Sequence, residues 1–215
     1  MKNIKRYLGA LALLFLVAQA TAVESQHKIR LNTGWEFLKG DLGSPLEAFR
    51  EGKNALVPIW QNVTLPHSYN AQDAVDPDVN YYQGPAWYRT RLKVDNPFQK
   101  GRTLLHFEGA GQKTEVYIYT KKVGSHAGGY DEFEMDITEA IDAYLKQYNP
   151  EDGMIPVAIR TDNSRDVDLI PSDLSDFNLY GGIYRYLNLV YLPSAYLQKV
   201  HFKTDLHPDL KKADL

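Results

Sequence analysis

Hydrophobic and polar residues alternate along much of this chain with a period of two. Between Trp87 and Val94 every second residue is aromatic, β-branched or aliphatic, and Arg89, Arg91 and Lys93 lie between them. The same alternation recurs over 115–120, where aliphatic residues alternate with tyrosines. Successive side chains of a strand point to opposite faces of a sheet, so the pattern predicts strands with one apolar face.

Short segments of this kind, separated by Gly, Pro, Asn and Asp, predict roughly nine or ten strands. The main predicted strands are 35–38, 60–65, 87–94, 103–108, 115–120, 133–137, 155–160, 183–190 and 196–203. One helix is expected over 139–147 with Thr138 as its N-cap, and one helical turn over 45–50. Residues 70–85 and 124–129 are expected to be loops. The chain is therefore predicted to be all-β, a two-sheet β-sandwich with one short helix.

The first 22 residues have the pattern of a secretory signal peptide. Lys2, Lys5 and Arg6 precede an apolar run from Leu8 to Ala18, and Ala20-Thr21-Ala22 supplies small residues at the cleavage position. The run is too short to anchor the protein, and no later segment is long enough to span a membrane. We expect export to the bacterial periplasm or the exterior, where a chain without cysteine is held together by its core alone.

Charge and motif patterns exclude several classes of function. With 24 basic and 27 acidic residues and no basic run, the chain is not expected to bind nucleic acid. His67 and His126 have no second ligand at metal-binding spacing, which favours structural roles. The Gly-x-Ser-x-Gly motif of serine hydrolases does not occur.

The segment Asp176–Arg185 joins an acidic and aromatic loop to a Gly-Gly turn and a strand. Gly181 and Gly182 allow a positive φ or a close approach to another surface. An Asp beside Tyr and Asn on such a rim is typical of sugar contacts. The alternative is a tight strand entry whose residues serve only the turn.

Motifs spread from residue 30 to residue 190 carry a resemblance to a known family. They are RLNTGWEF at 30–37, VTLPH at 63–67, GPAWYR at 84–89, LHFEGA at 105–110, VY at 116–117, GSHAGGY at 124–130, DNS at 162–164 and the segment Asp176–Arg185. In this order they resemble the N-terminal sugar-binding domain of glycoside hydrolase family 2, the β-galactosidase and β-glucuronidase family. The resemblance implies a jelly-roll β-sandwich, galactose-binding-domain-like, over 27–192.

The resemblance also implies further domains. Family members continue into an immunoglobulin-like domain and a (β/α)8 barrel that carries two catalytic glutamates, and residues 193–215 resemble a truncated start of the former. The family's acid/base glutamate follows an Asn, and this sequence contains no Asn-Glu pair. Retaining hydrolysis needs two carboxyls roughly 5 Å apart, so we expect no hydrolysis by this chain alone.

By resemblance, this domain contributes contacts to a sugar. Asp176 matches the acidic position that contacts sugar hydroxyls or a nearby cation, and Asn80 matches a second contact in the long loop. Asp173, Asn178 and Tyr180 are flanking candidates. The expected ligand is a carbohydrate, with β-galactoside as the default. No cofactor is certain, and a monovalent or divalent cation near the sugar is implied by the resemblance alone.

Two other functions stay open. The chain is alternatively a stand-alone carbohydrate-binding module, or a non-catalytic interaction domain that has lost its sugar contacts. The segment Asp176–Arg185 belongs to the loop that faces the active site in the resembling family, which favours the hydrolase-domain interpretation.

Overall fold

The computed structural model describes residues 26–50, 59–73, 75–171, 178–206, 208 and 211–214. The predicted signal peptide at 1–22, and Asp173 and Asp176, lie outside the described residues. Within the described part of the chain, no helix has the length and apolar character required to cross a bilayer.

Antiparallel strands dominate the structure. They are β1 (His27–Arg30), β2 (Trp35–Lys39), β3 (Gln61–Val63), β4 (His67–Ser68), β5 (Pro85–Lys93), β6 (Arg102–Phe107), β7 (Lys113–Ile118), β8 (Lys121–Ala127), β9 (Phe133–Asp136), β10 (Met154–Asp162), β11 (Gly182–Ile183), β12 (Leu187–Leu192), β13 (Asp205–Leu206) and β14 (Ala213–Asp214). A 3-10 turn covers Pro45–Phe49, and helix α1 covers Thr138–Tyr148.

Two sheets pack face to face. One has the order β3-β2-β5-β10-β7-β8, and the other has the order β1-β12-β6-β9. Two short ladders, β4 with β11 and β13 with β14, lie outside them. The main core contains buried residues from both sheets, among them Tyr88 and Ile159 from the first and Leu105 and Phe107 from the second. The predicted β-sandwich with one short helix is confirmed.

Strand β5 shows how the alternating pattern builds the two faces of the six-stranded sheet. Tyr88 is fully buried in the core between the sheets. Trp87 is buried on the opposite face, where a smaller apolar cluster includes Ala48 of the 3-10 turn. Trp87 also donates from Nε1 to the Asp41 carboxylate at 3.1 Å. Burial and this hydrogen bond give Trp87 a structural role in the fold.

Helix α1 begins one residue earlier than predicted, and its cap is different. Ile137 occupies the N-cap position, and Asp136 accepts the backbone N–H of Thr138 at 2.9 Å. The Thr138 hydroxyl instead accepts the N–H of Thr103 on β6 at 2.8 Å. The helix therefore gains its N-terminal contact from a carboxylate, which suits the positive end of the helix dipole.

Four strand predictions were wrong. β8 covers the first part of the expected loop 124–129, because β7 pairs with residues 121–127. The predicted strand 183–190 is two strands, since the Arg185 N–H bonds the carbonyl of Gly109 and carries the chain from one ladder to another. Residues 196–203 form no strand, and β1 was missed. The immunoglobulin-like character of 193–215 stays a prediction.

His67 in β4 helps to hold the entry to β11. Its Nδ1 lies 2.8 Å from the Tyr88 hydroxyl, and its ring packs 4.7 Å from that of Phe37. β4 pairs with β11 through Ser68 opposite Gly182. Burial lowers the pKa of His67, so the folded protein keeps this imidazole neutral. These contacts agree with the structural role predicted for His67.

Replacing Leu105 by Ala is expected to lower the free energy of unfolding by about 2–5 kcal/mol, because the side chain is fully buried between the sheets. Urea denaturation followed by circular dichroism measures the change. The control Leu197→Ala, at a side chain that is 86% exposed, should change it by less than about 0.5 kcal/mol. Equal effects from both variants would contradict the assigned core.

His67 should make stability fall as the pH drops below about 6.5, the usual histidine pKa. The folded-state pKa is lower than the unfolded one, so in this window the unfolded chain binds the additional proton. The loss continues until the pH reaches the folded-state pKa. Urea midpoints from pH 8 to pH 5 should fall more for the native chain than for His67→Phe. Parallel curves would contradict a buried, neutral His67.

Candidate functional site

Two loops line a cavity of about 900 Å³ beside the short β4–β11 ladder. One loop follows β8, and the other connects β10 to β11. The residues that line the cavity are Gly128, Gly129, Tyr130, Asp131, Asp168, Leu169, Ile170, Pro171, Asn178 and Tyr180. Mostly apolar walls with a few polar groups are typical of small-molecule sites, and this volume lies within their usual range of roughly 300–1,000 Å³.

Asn70 ties two of the loops at this edge together. Its side-chain amide donates to the carbonyl of Leu179 at 2.8 Å and to that of Tyr82 at 3.3 Å. Its oxygen accepts the backbone N–H of Gly181 at 2.9 Å. Asn70 has no exposed surface, so these bonds replace all contact with water.

Asn163, at the end of β10, bonds to the same two carbonyls. Its amide donates to Leu179 at 2.7 Å and to Tyr82 at 3.1 Å, and its oxygen accepts the N–H of Gly84 at 2.9 Å. The Tyr69 hydroxyl donates to the Gly84 carbonyl at 2.9 Å. We call Asn70 and Asn163 the asparagine clamp. It joins the long loop before β5 to the loop before β11.

Gly181 and Gly182 both have the steric reason that the sequence predicted. A side chain at Gly181 would overlap the Tyr69 ring, so this position requires a close approach. Gly182 has φ +116°, a backbone conformation that favours glycine. Both glycines therefore place residues 178–180 against the body of the domain.

The side-chain amide of Asn178 has no hydrogen-bond partner among the residues that the structure describes. Its oxygen and its nitrogen are both buried. An unpaired buried amide is costly, and a ligand that both donates and accepts hydrogen bonds would remove the cost. Vicinal sugar hydroxyls have this character. The amide therefore has the chemistry of a sugar contact.

Tyr130 and Tyr180 place half-exposed rings at the same cavity, with 48% and 42% of their surface accessible. Burial, and then the neighbouring Tyr180 hydroxyl, raise the pKa of Tyr130. Tyr184 donates from its hydroxyl to the Gly129 carbonyl and so anchors the loop that carries Tyr130. Both tyrosines offer ring faces together with hydroxyl groups.

The structure brings together two of the five predicted contact residues. Asn178 and Tyr180 line the cavity, whereas Asn80 is exposed and does not line it. Asp173 and Asp176 fall outside the described residues. The roles of all five stay predictions.

Several lining residues were missed by the sequence interpretation. Tyr130 closes a motif that carried the family resemblance, and its position in that motif was the available signal. Asp131 and residues 168–171 gave no signal, because only the fold brings them beside Asn178.

The charges of the cavity limit what it can bind. Asp131 and Asp168 are the ionisable carboxylates among the lining residues, and none of the lining residues is basic. An acidic ligand group would therefore be held elsewhere. No cluster of three or more potential metal ligands occurs among the described residues. The predicted cation involves Asp176 and stays a prediction.

Asn163→Ala is expected to lower the free energy of unfolding by roughly 2–4 kcal/mol, because it leaves the buried Gly84 N–H without its acceptor and removes one of the two donors to the Leu179 and Tyr82 carbonyls. Hydrogen exchange of the Gly84 amide should accelerate, since that N–H loses its acceptor. The control Asn80→Ala, at an exposed asparagine, should leave both quantities nearly unchanged. Unchanged Gly84 exchange in a folded Asn163→Ala protein would contradict the clamp.

Comparisons with known proteins agree with this architecture. The structure is similar to Parabacteroides merdae β-glucuronidase, with a TM-score of 0.82 and 57% identity over 87% of this chain and 25% of that chain. It is also similar to Bacteroides uniformis β-glucuronidase 3, with a TM-score of 0.79 and 55% identity over 84% and 24% of the two chains. The β-galactosidase of Thermoanaerobacter pseudethanolicus is 32% identical over 180 residues, which are 82% of this chain and 22% of that protein.

The chain thus spans about a quarter of the length of the relatives it matches. The model of the family "Glycosyl hydrolases family 2, sugar binding domain" matches residues 47–193. That match covers more than half of the chain and includes both members of the asparagine clamp and the residues that line the cavity. The chain therefore belongs to glycosyl hydrolases family 2, of which it contains the sugar-binding domain.

Proposed function

We propose that this chain forms one wall of a β-glycoside-binding site in a family 2 glycoside hydrolase, with Asn178 in contact with substrate hydroxyls. The observation that supports it most is the buried Asn178 amide at the edge of the cavity, which no described residue of the chain hydrogen-bonds. In this role the amide donates one hydrogen bond and accepts another, which orients the bound sugar. Tyr180 and Tyr130 flank it with ring faces.

The bond-breaking carboxyls of this proposal lie on other domains of the enzyme. The similar enzymes are about four times as long as this chain, and the sequence contains no Asn-Glu pair. An immunoglobulin-like domain, begun by residues 193–215, and a (β/α)8 barrel complete the proposed enzyme. Residues 27–192 form its sugar-binding domain. We further propose that the signal peptide at 1–22 directs it to the periplasm or the exterior.

A β-glucuronide is the first substrate to test. The Parabacteroides merdae and Bacteroides uniformis enzymes, whose structures share more than 50% identity with this chain, are both β-glucuronidases. β-Galactoside, the default from the sequence, is the second, since a β-galactosidase is also similar. Asp173, Asp176 and Asn80 remain proposed contacts to the same sugar, and a cation beside Asp176 remains a proposed companion.

A chimera tests the role of Asn178. In it, this chain replaces the matching domain of the Parabacteroides merdae enzyme, and kcat/KM is measured with 4-nitrophenyl β-glucuronide and β-galactoside. Asn178→Ala should lower kcat/KM about tenfold, a loss of about 1.4 kcal/mol of transition-state binding. The matched control Asn149→Gly, at an exposed helix end with φ +42°, should leave it unchanged. An active chimera that tolerates Asn178→Ala would contradict the proposal.

The same substrates should show negligible turnover with this chain alone. Turnover by the isolated chain would contradict the assignment of the catalytic carboxyls to other domains. Tight sugar binding by the isolated chain, abolished by Asn178→Ala, would support a stand-alone carbohydrate-binding module instead. Circular dichroism of each variant distinguishes a lost contact from a lost fold.

A further inference from the structure

A second concave surface lies on the outer face of the six-stranded sheet, with a volume of about 490 Å³. Its walls include Glu36, Asn62, Arg89, Arg91, Tyr119 and Tyr144. None of its lining residues belongs to the cavity beside Asn178. The volume lies within the range usual for ligand sites, roughly 300–1,000 Å³.

One side of this groove is formed by Phe49, Tyr119 and Tyr144, whose rings pack in a cluster with Tyr148 beside the groove. The Tyr119 ring lies 5.6 Å from that of Phe49, 5.9 Å from that of Tyr144 and 5.2 Å from that of Tyr148. Tyr144 and Tyr148 are 5.0 Å apart, and Tyr148 is 47% exposed. The described part of the chain supplies no hydrogen bond to the hydroxyls of these three tyrosines. The cluster therefore offers ring faces and free hydroxyls to a ligand.

Tyr119 occupies a position that a tyrosine rarely takes. It has φ +51° in the two-residue turn between β7 and β8, where Ile118 pairs with Lys121. Such turns favour Asn, Asp or Gly, and a bulky residue with positive φ carries backbone strain. Strain of this kind concentrates at functional positions. The contacts of the Tyr119 ring with Phe49, Tyr144 and Tyr148 therefore offset the strain of its positive φ.

The charged groups of the groove are already balanced. Arg89 pairs with Glu36 at 2.8 Å, and Arg91 pairs with Asp152 at 3.0 Å. Arg89 also donates to the Ala48 carbonyl at 2.8 Å, which holds its guanidinium in place. Since each arginine has a carboxylate partner, the groove has no spare positive charge for an acidic ligand. Its remaining polar atoms suit neutral hydroxyl groups.

We propose that this groove is an accessory binding site for neutral, β-linked oligosaccharides. Tyr119, Tyr144 and Tyr148 stack their rings against the apolar faces of the sugar units, where a tyrosine combines an apolar body with a polar tip. Asn62 and the free carboxylate oxygen of Glu36 bond to sugar hydroxyls. The groove binds neutral sugar units of a longer glycan, while the loops around Asn178 contact the sugar unit to be cleaved. This last role rests on the function proposed above.

The test is isothermal titration calorimetry of the full chain with cellohexaose, β-1,4-galactohexaose and, as an acidic comparison, hyaluronan hexasaccharide. A neutral hexasaccharide should bind saturably. Tyr144→Ala and Tyr148→Ala should each weaken it about tenfold, whereas Tyr144→Phe should retain it. The matched control Tyr196→Ala, at a tyrosine that is 37% exposed, should have no effect. Asn178→Ala should also have no effect, which separates this site from the one proposed above.

Absence of binding by both neutral hexasaccharides would overturn the proposal. So would an equal loss with Tyr196→Ala, or tighter binding of the hyaluronan hexasaccharide. Tyr148 is the decisive position if Tyr144→Ala unfolds, because its exposure should keep the melting temperature within about 2 °C of the native value.

Discussion

Two buried asparagines hold the functional edge of this domain. Asn70 and Asn163 both donate to the carbonyls of Leu179 and Tyr82, with four N···O distances between 2.7 and 3.3 Å. Each side chain is fully removed from water, so losing Asn70 or Asn163 leaves the buried N–H of Gly181 or Gly84, respectively, without its acceptor in a medium of low dielectric constant. The position of Asn178, next to Leu179, depends on this pair.

The clamp also explains how a β-sandwich can hold the residues of a binding site in fixed positions on irregular loops. Loops are usually the mobile part of a fold, and ligand contacts lose strength when their supports are loose. Here the supports are a strand end at Asn163, a turn after β4 at Asn70, and the close approach of Gly181 to the Tyr69 ring. These contacts attach the loop before β11, which lines the cavity, to the rigid sheets. The polar bonds of the clamp are internal and do not involve the Asn178 amide.

The sequence predicted regular parts of the fold better than contacts formed at a distance. Alternation between Trp87 and Val94 predicted β5 because one face of that strand meets the core and the other meets the cluster around Ala48. The strand β8 was missed because its glycine and histidine residues are common in loops, and only pairing with β7 makes them a strand. Residues 196–203 have strand-like alternation and still form no strand, since period alone supplies no partner for a ladder.

The residues of the candidate site also fall into two groups, those that the sequence predicted and those that only the fold brings together. Asn178, Tyr180 and the Gly-Gly turn were found because they are neighbours in sequence and match a motif of the family. Asp131 and residues 168–171 meet them only after β8 and β10 have been placed in one sheet. Asn163 belongs to the DNS motif at 162–164, but its pairing with Asn70 gave no local signal, because the bonds of the clamp span up to 111 residues of sequence. Fold-level information was needed for each of these.

A double-mutant cycle in the active chimera tests most directly whether the clamp acts by positioning Asn178. The value of kcat/KM is compared for Asn163→Ala, Asn178→Ala and the double variant, at a temperature where circular dichroism shows all three folded. If the clamp positions Asn178, the double variant should lose hardly more activity than Asn178→Ala, so that the two losses do not add. Fully additive losses would contradict the account, because the clamp and Asn178 would then act independently.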